Sequence, residues 1–320
     1  MLWKTQNERG EDVSEGGVFW KMKYITFYQR TINRFNIFYD LEDYLVYYTI
    51  FSIAARQYEV TILGLCLMFD HIHMLIKSDA RVRMSEFVRQ VTCMFAREQN
   101  NEVGRKGSLF QARFGSAPKK GLKLLRTAIA YLFNNPVEKR LCSRAEEYRW
   151  NFLAYALSPH PFSDPLILGR ASLSLKRAVK EVDLAESEDR HLRYVQLKRL
   201  LSKLDEREKM QLVDHIISIY KPFDYEEVIA CYGSYEDMLT AINSNTGSEY
   251  DIKEDRYRFS DMEYVRMAEI LYTTEGIKEL RKVTCLEMDQ KMRLAELLSR
   301  RLSCGNLPIA KFLHIDVKNA

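Results

Sequence analysis

No stretch of the 320 residues approaches the roughly 20 consecutive apolar positions needed to cross a bilayer. The amino terminus, MLWKTQNERGEDVSEGG, is polar and acidic, so it is not expected to be a signal peptide. Paired cysteines are missing as well. Cys66, Cys93, Cys142, Cys231, Cys285 and Cys304 lie far apart and none forms a CxxC, so neither a zinc ribbon nor a dense disulfide scaffold is expected. There is no internal repeat and no low-complexity tract. Net charge is also small: 48 basic against 44 acidic residues leave +4, too little to name a partner. The expectation is a soluble, cytoplasmic chain. Its 47% hydrophobic and 29% charged residues are ordinary globular composition. Its length favours two domains. The charge is uneven, with 23 basic and 17 acidic residues up to position 165 and 25 against 27 beyond it.

Asn7–Gly17 is polar and glycine-bearing, and residues 1–22 read as a loose arm. The aromatic and β-branched run Lys23–Gln29 suits a strand. Leu41, Tyr44, Leu45, Tyr48 and Phe51 recur at helical spacing within Asp40–Gln57. Tyr58–Phe69 and His71–Lys77 are strand-like runs, and the short break at Phe69–Asp70 predicts an antiparallel hairpin. Met84–Gln99 is helical in period, Leu109–Ser116 reads as a strand, and Leu122–Asn134 as a helix that Pro136 stops. The first six elements give a ferredoxin-like βαββαβ order, an α+β fold with two helices on one face of an antiparallel sheet. Three of the seven prolines fall in Ser158–Pro165, which marks a boundary between residues 23–160 and a helical domain over 166–320. A polar stretch, Ser244–Arg256, interrupts the helices of the second half.

His71-Ile72-His73 carries the most chemical information. On a strand both imidazoles point to one face while Ile72 enters the core. Two converging imidazoles suit a divalent metal that still lacks ligands; the plain alternative is two polar residues facing water. Tyr131 and Asn135, four residues apart in TAIAYLFNNPVEKRL, share one helical face. Between the two motifs Arg105, Lys106, Arg113, Lys119, Lys120, Lys123 and Arg126 form a stretch with no acidic residue. A charge run is usually a solvated face. Here Phe110 and Phe114 interleave with it, which suits a single-stranded nucleic acid whose phosphates meet cations and whose bases stack on rings.

NIFYDLEDY (Asn36–Tyr44), LCLMFDHIHMLI (Leu65–Ile76), GSLFQARF (Gly107–Phe114), YLFNNPV (Tyr131–Val137) and EYRWNFLAY (Glu147–Tyr155) follow one another in order. In these motifs the chain resembles the HUH single-strand endonucleases, and specifically the REP-associated tyrosine transposases related to insertion-sequence transposases. The resemblance covers about Lys23–Tyr155, a little under half the chain. Where the family commonly has Pro-Asn before its first histidine, this chain has Phe69-Asp70, a change that bears on the surroundings of the metal site.

The resemblance implies that His71 and His73 hold Mg²⁺ or Mn²⁺ and that Tyr131 is the nucleophile. Asn135 is the candidate third ligand, the alternative being a cap on the helix before Pro136. A phenol with a pKa near 10 is a weak nucleophile at neutral pH and needs a nearby cation or base and an activated phosphate. The expected activity is metal-dependent cleavage and transfer of single-stranded or hairpin DNA through a 5′-phosphotyrosine. The rivals are a catalytically silent DNA-binding descendant and an RNA-binding regulator that uses the basic face. His160, His191, His215 and His314 are scattered and read as surface or core residues. The carboxyl-terminal stretch Met292–Ile315 resembles the first part of a helix-turn-helix, or else the last helical hairpin of its domain.

Overall fold

The computed structural model describes residues 23–111, 114–244 and 260–316, together with the paired segments Thr5–Gln6 and Asp12–Val13. Most of the expected amino-terminal arm lies outside the described residues, as does the polar stretch after Ser244. The run at the start of the ordered chain forms strand β1 (Lys23–Arg30), with Ile25, Phe27 and Gln29 buried and the alternate positions half-buried. Helix α1 (Leu41–Gln57) follows. The Asp43 carboxylate accepts the backbone N–H groups of Tyr39 and Asp40 at 2.9 and 2.8 Å, which satisfies donors at the helix start. Strands β2 (Thr61–Met68) and β3 (His71–Ser78) form the expected hairpin across Phe69–Asp70. Helix α2 (Arg81–Val103) ends at Gly104, whose φ of 67° is a left-handed cap that glycine adopts at little strain.

Strand β4 is Gly115–Lys119 rather than Leu109–Ser116. The apolar residues Leu109 and Phe110 are buried, but they meet Thr31 and Ile32 only through an isolated bridge. The strand proper is polar, lies at the sheet edge and contains Pro118, which an edge tolerates because one side of its backbone is unpaired. Hydrophobicity therefore marked the buried approach to the strand and not the strand itself. Helix α3 (Leu122–Glu138) differs from expectation too, since it runs through Pro136. The proline deprives only the Leu132 carbonyl of its helical donor, close to the helix end. Lys139 N–H still closes the last turn on the Asn135 carbonyl at 3.1 Å.

The sheet order is β2-β3-β1-β4 with every pairing antiparallel, the ferredoxin-like arrangement that the element order predicts. Helices α1 and α2 cover the face carrying Ile25, Phe27, Ile72, Met74 and Ile76. Helix α3 covers the opposite face, packing Ile129, Leu132 and Phe133 on Leu63, Cys66 and Leu75. A bulge in β2 places Gly64 under this helix, where a Cβ would stand 3.1 Å from Leu132 Cδ2. The missing side chain lets α3 lie close against the sheet.

The second half is helical, and its parts pack on different sides of this unit. Helices α4 (Leu173–Ser187), α5 (Tyr194–Leu201), α6 (Glu206–Ile219) and α7 (Tyr225–Ala230) follow Ser158–Pro165. Their apolar faces join the hydrophobic cluster of α1, so one core runs across that proline-rich segment. Helix α8 (Tyr235–Ser244) lays Met238 and Ile242 against α3. Helices α9 (Met262–Glu275), α10 (Met288–Arg301) and α11 (Asn306–Leu313) form a separate cluster that closes on Tyr39 and Phe69. No helix of the described residues is long and apolar enough to cross a membrane.

Candidate active site

Antiparallel register places the two histidines. His71 pairs with Arg30 on β1 and Met68 on β2, and His73 pairs with Tyr28 and Cys66. All six share the sheet face that α3 covers, because side chains alternate along a strand. The His71 and His73 rings stand 5.0 Å apart, centroid to centroid, and nearly perpendicular. Helix α3 adds Tyr131, whose ring meets His73 edge-on at 5.3 Å, and Asn135, whose Nδ2 lies 3.1 Å from His73 Nε2. The four side chains predicted from two separate motifs thus converge on one place. They are deeply enclosed: 2% of His71, 3% of His73, 6% of Tyr131 and 1% of Asn135 remains exposed.

A charged layer lies behind the histidines. His71 Nδ1–H donates to Asp70 Oδ1 at 2.5 Å, which directs Nε2 toward the shared face. Burial alone would push the Asp70 carboxyl up; the His71 ring, Arg34 and Lys311 outweigh it and hold the group below the usual range. The Arg34 guanidinium is 3.7 Å from Asp70. The carboxyl-terminal helices reach the same corner. Phe69 meets Tyr264 of α9 edge-on at 5.2 Å, and Asp261 N–H donates to the Lys139 carbonyl at 3.1 Å. Burial, helped by the neighbouring Asp70, pushes the Asp261 carboxyl up to about 7. Burial pushes the Lys311 ammonium of α11 down, against the opposing pull of Asp70.

Two imidazoles and one amide oxygen form a mixed nitrogen and oxygen donor set. Asn135 Oδ1 is buried and accepts no hydrogen bond among the described residues, an open acceptor that a cation would satisfy. Nowhere among the described residues do three His, Cys, Asp or Glu side chains gather as a metal cluster. Any ion here would therefore rest on His71, His73 and Asn135, with its remaining positions left for phosphate oxygens or water. These residues fit a divalent cation.

The expected nucleic-acid path divides. Arg105, Lys106, Phe110 and Phe114 line a groove of about 1100 Å³ along α2, on the α1/α2 face of the sheet, away from the histidines. Phe110 is buried and Phe114 packs edge-on against Phe27 at 5.3 Å, so neither ring stands out as a free stacking platform. Lys119 ends β4, and Lys120 and Lys123 are exposed at the start of α3. Arg126 donates to the Cys231 carbonyl at 2.5 Å and lies over the Tyr232 ring, tying α3 to the loop after α7. Arg113 lies outside the described residues.

Sequence reasoning marked Asp70 as bearing on the site but missed Tyr28, Arg30, Arg34, Asp261 and Lys311. Alternation in KYITFYQR does pair Tyr28 with Arg30 on one face. Only the strand order reveals that β3 is their neighbour. Asp70 adjoins the histidines in sequence and was legible, whereas Asp261 and Lys311 arrive from 190 and 240 residues beyond His71, and no local pattern announces them.

Residues 18–135 match the family model for IS200-like transposases. Among solved structures, a REP-associated tyrosine transposase bound to a REP hairpin matches with a TM-score of 0.34 and 16% identity, over 42% of this chain and 79% of that one. No curated protein matches. Over residues 18–135 the chain is thus similar to the IS200-like transposases, the family that its motifs resemble.

Proposed function

We propose that the protein is a metal-dependent single-stranded DNA endonuclease and strand transferase, working through a 5′-phosphotyrosine on Tyr131 and acting on hairpin-forming repeats. The observation that carries this reading is the convergence of His71, His73, Asn135 and Tyr131 on one sheet face. The choice of hairpin DNA follows the motif resemblance. A divalent ion held by His71, His73 and Asn135 would withdraw charge from the scissile phosphate; the donor set suits Mn²⁺ better than the harder Mg²⁺.

The chain's own residues do the rest. Asp70 keeps His71 in one tautomer and one orientation. Tyr131 is fixed by its helix against His73, so its hydroxyl oxygen is aimed before the strand arrives. Attack forms the bond from Tyr131 oxygen to phosphorus and breaks the bond to the 3′-oxygen. The phenolic proton is lost, and the departing 3′-oxygen leaves as a hydroxyl. A second 3′-hydroxyl can reverse the step on the phosphotyrosine, joining new ends with no other energy source.

The near-complete burial of the four residues favours a second reading, a DNA-binding protein that keeps the fold and no longer cleaves. An end-labelled hairpin strand incubated with Mn²⁺ separates the two. The enzyme gives a shortened strand that disappears on chelation and in His71→Ala and His73→Ala proteins that still unfold at the normal temperature. Binding without any cut product would favour the silent protein.

A further inference from the structure

The groove along α2 lies on the wrong face of the sheet to serve Tyr131, so the phosphates at the candidate active site need other cations. We propose that Arg30 and Arg34, gathered around the Tyr28 hydroxyl, bind the phosphate backbone of the strand beside the histidine pair. This inference rests on the strand-transferase reading and supplies the anion-binding part of the same site.

Tyr28 lies directly against the histidines, its ring centroid 4.8 Å from that of His73 and 5.6 Å from that of His71. The Arg30 Nε–H donates to the Tyr28 hydroxyl, and its guanidinium lies over the Tyr28 ring, 4.6 Å from the centroid. Arg34 Nη1–H reaches the same hydroxyl at 3.4 Å and Asp70 at 3.7 Å. One phenol oxygen thus draws two guanidiniums together, and one of them is linked through Asp70 to His71.

Access and backbone geometry agree. Tyr28, Arg30 and Arg34 are only partly buried, unlike the four residues behind them. On the far side Tyr28 pairs with Gly115 of the edge strand, which itself carries no side chain. The loop carrying Arg34 holds Asn33 and Arg34 at φ values of 53° and 57°. Two consecutive non-glycine residues in the left-handed region are strained, and such strain persists where the surroundings enforce it. Here it turns the Arg34 side chain back toward Tyr28 and Asp70. A planar guanidinium presents paired donors to phosphate oxygens, and Arg34, held at Asp70, would do so with little freedom to lose.

The test uses the full chain and a labelled pool of hairpin-forming single-stranded DNA. Binding is measured in chelator over a range of salt, and covalent adduct formation in Mn²⁺. Arg30→Met and Arg34→Met should each flatten the slope of log affinity against log salt by about 0.7. Each should also slow adduct formation by about 10²-fold or more, as loss of one charge-stabilising donor does. Arg34→Lys should recover the salt slope, being a cation, while recovering little of the rate, since it lacks the paired donors. Thermal midpoints and Mn²⁺ binding should stay near wild type, which separates phosphate binding from a structural role. Should Arg34→Met unfold, Arg30→Met carries the same test. Unchanged salt slopes and adduct rates in both variants would overturn the proposal, even with Tyr131 fully active. A wild-type protein that forms no adduct would refute the strand-transferase reading instead, and the salt slopes would still decide for or against the arginines.

Discussion

Asn135 Nδ2 lies 3.1 Å from His73 Nε2, although 62 residues separate them in the chain. That contact depends on how closely α3 lies on the sheet, and Gly64 sets the spacing beneath Leu132. Gly64→Val should force Leu132 aside and lift the helix. Overpacking of this kind costs about 1–3 kcal/mol. The urea midpoint should fall accordingly, and Mn²⁺ affinity measured by calorimetry should fall with it as Asn135 withdraws from the histidines. A variant that loses stability yet keeps its Mn²⁺ affinity would show that helix spacing does not set the site.

Asp70 stands where the transposases that this chain resembles commonly have asparagine. Its carboxylate accepts the His71 Nδ1–H and thereby fixes the ring. Asp70→Asn keeps an acceptor but removes the charge that makes the imidazole a stronger donor. Loss of such a partner typically costs about 10–100-fold in metal affinity. Mn²⁺ titration of the variant should show that loss with the fold intact; an unchanged affinity would mean the family's asparagine serves equally well here.

The first half of the fold was legible because its signals are local. Alternation in KYITFYQR, the short break at Phe69–Asp70 and the helical period after Asp40 each name an element, and βαββαβ order then leaves few topologies. The misread strand and the helix that continues through Pro136 were not legible, since tertiary context decided both. Gly115–Lys119 is a strand because β1 offers it an edge, not because its residues favour one. At the site, spacing put His71 with His73 and Tyr131 with Asn135 on shared faces, and the motif resemblance joined the two pairs into one candidate site. The Arg30–Tyr28–Arg34 group could not, since it depends on which strand lies beside β3.

One buried arginine ties the segment before α10 to the start of α1. Arg281, 1% exposed, contacts Asp40 at 3.0 Å, Glu42 at 2.5 Å and Asp43 at 3.3 Å. Arg281→Met would leave those carboxylates clustered without their cation. Breaking a buried pair in this way costs about 3–5 kcal/mol. Denaturant unfolding should show a loss of that size, and a change well under 1 kcal/mol would mean that the acids find other partners.

Acid should loosen the same region through His314. Burial pushes its imidazole down to about 3, against the favourable hydrogen bond that Nε2 makes with the Asn36 carbonyl at 2.6 Å. The unfolded chain therefore binds a proton through the window from about 6.5 down to about 3 that the folded chain refuses. Stability rises with pH wherever the unfolded state holds more protons, so this contribution is present above pH 6.5 and is lost progressively below it. His314→Asn tests it, because asparagine tolerates the left-handed φ of 54° at this helix end. The thermal midpoint of the variant should fall less steeply with acid than that of the wild type; parallel curves would place the acid sensitivity elsewhere.

The central claim is that Tyr131 forms a covalent bond with DNA, and mass spectrometry of a digested reaction tests it most directly. Protein incubated with Mn²⁺ and single-stranded hairpin DNA should yield a nucleotide-modified peptide whose modification maps to Tyr131, and Tyr131→Phe should yield none. A modification on Tyr28, the other tyrosine against His73, or an adduct that survives Tyr131→Phe, would contradict the account.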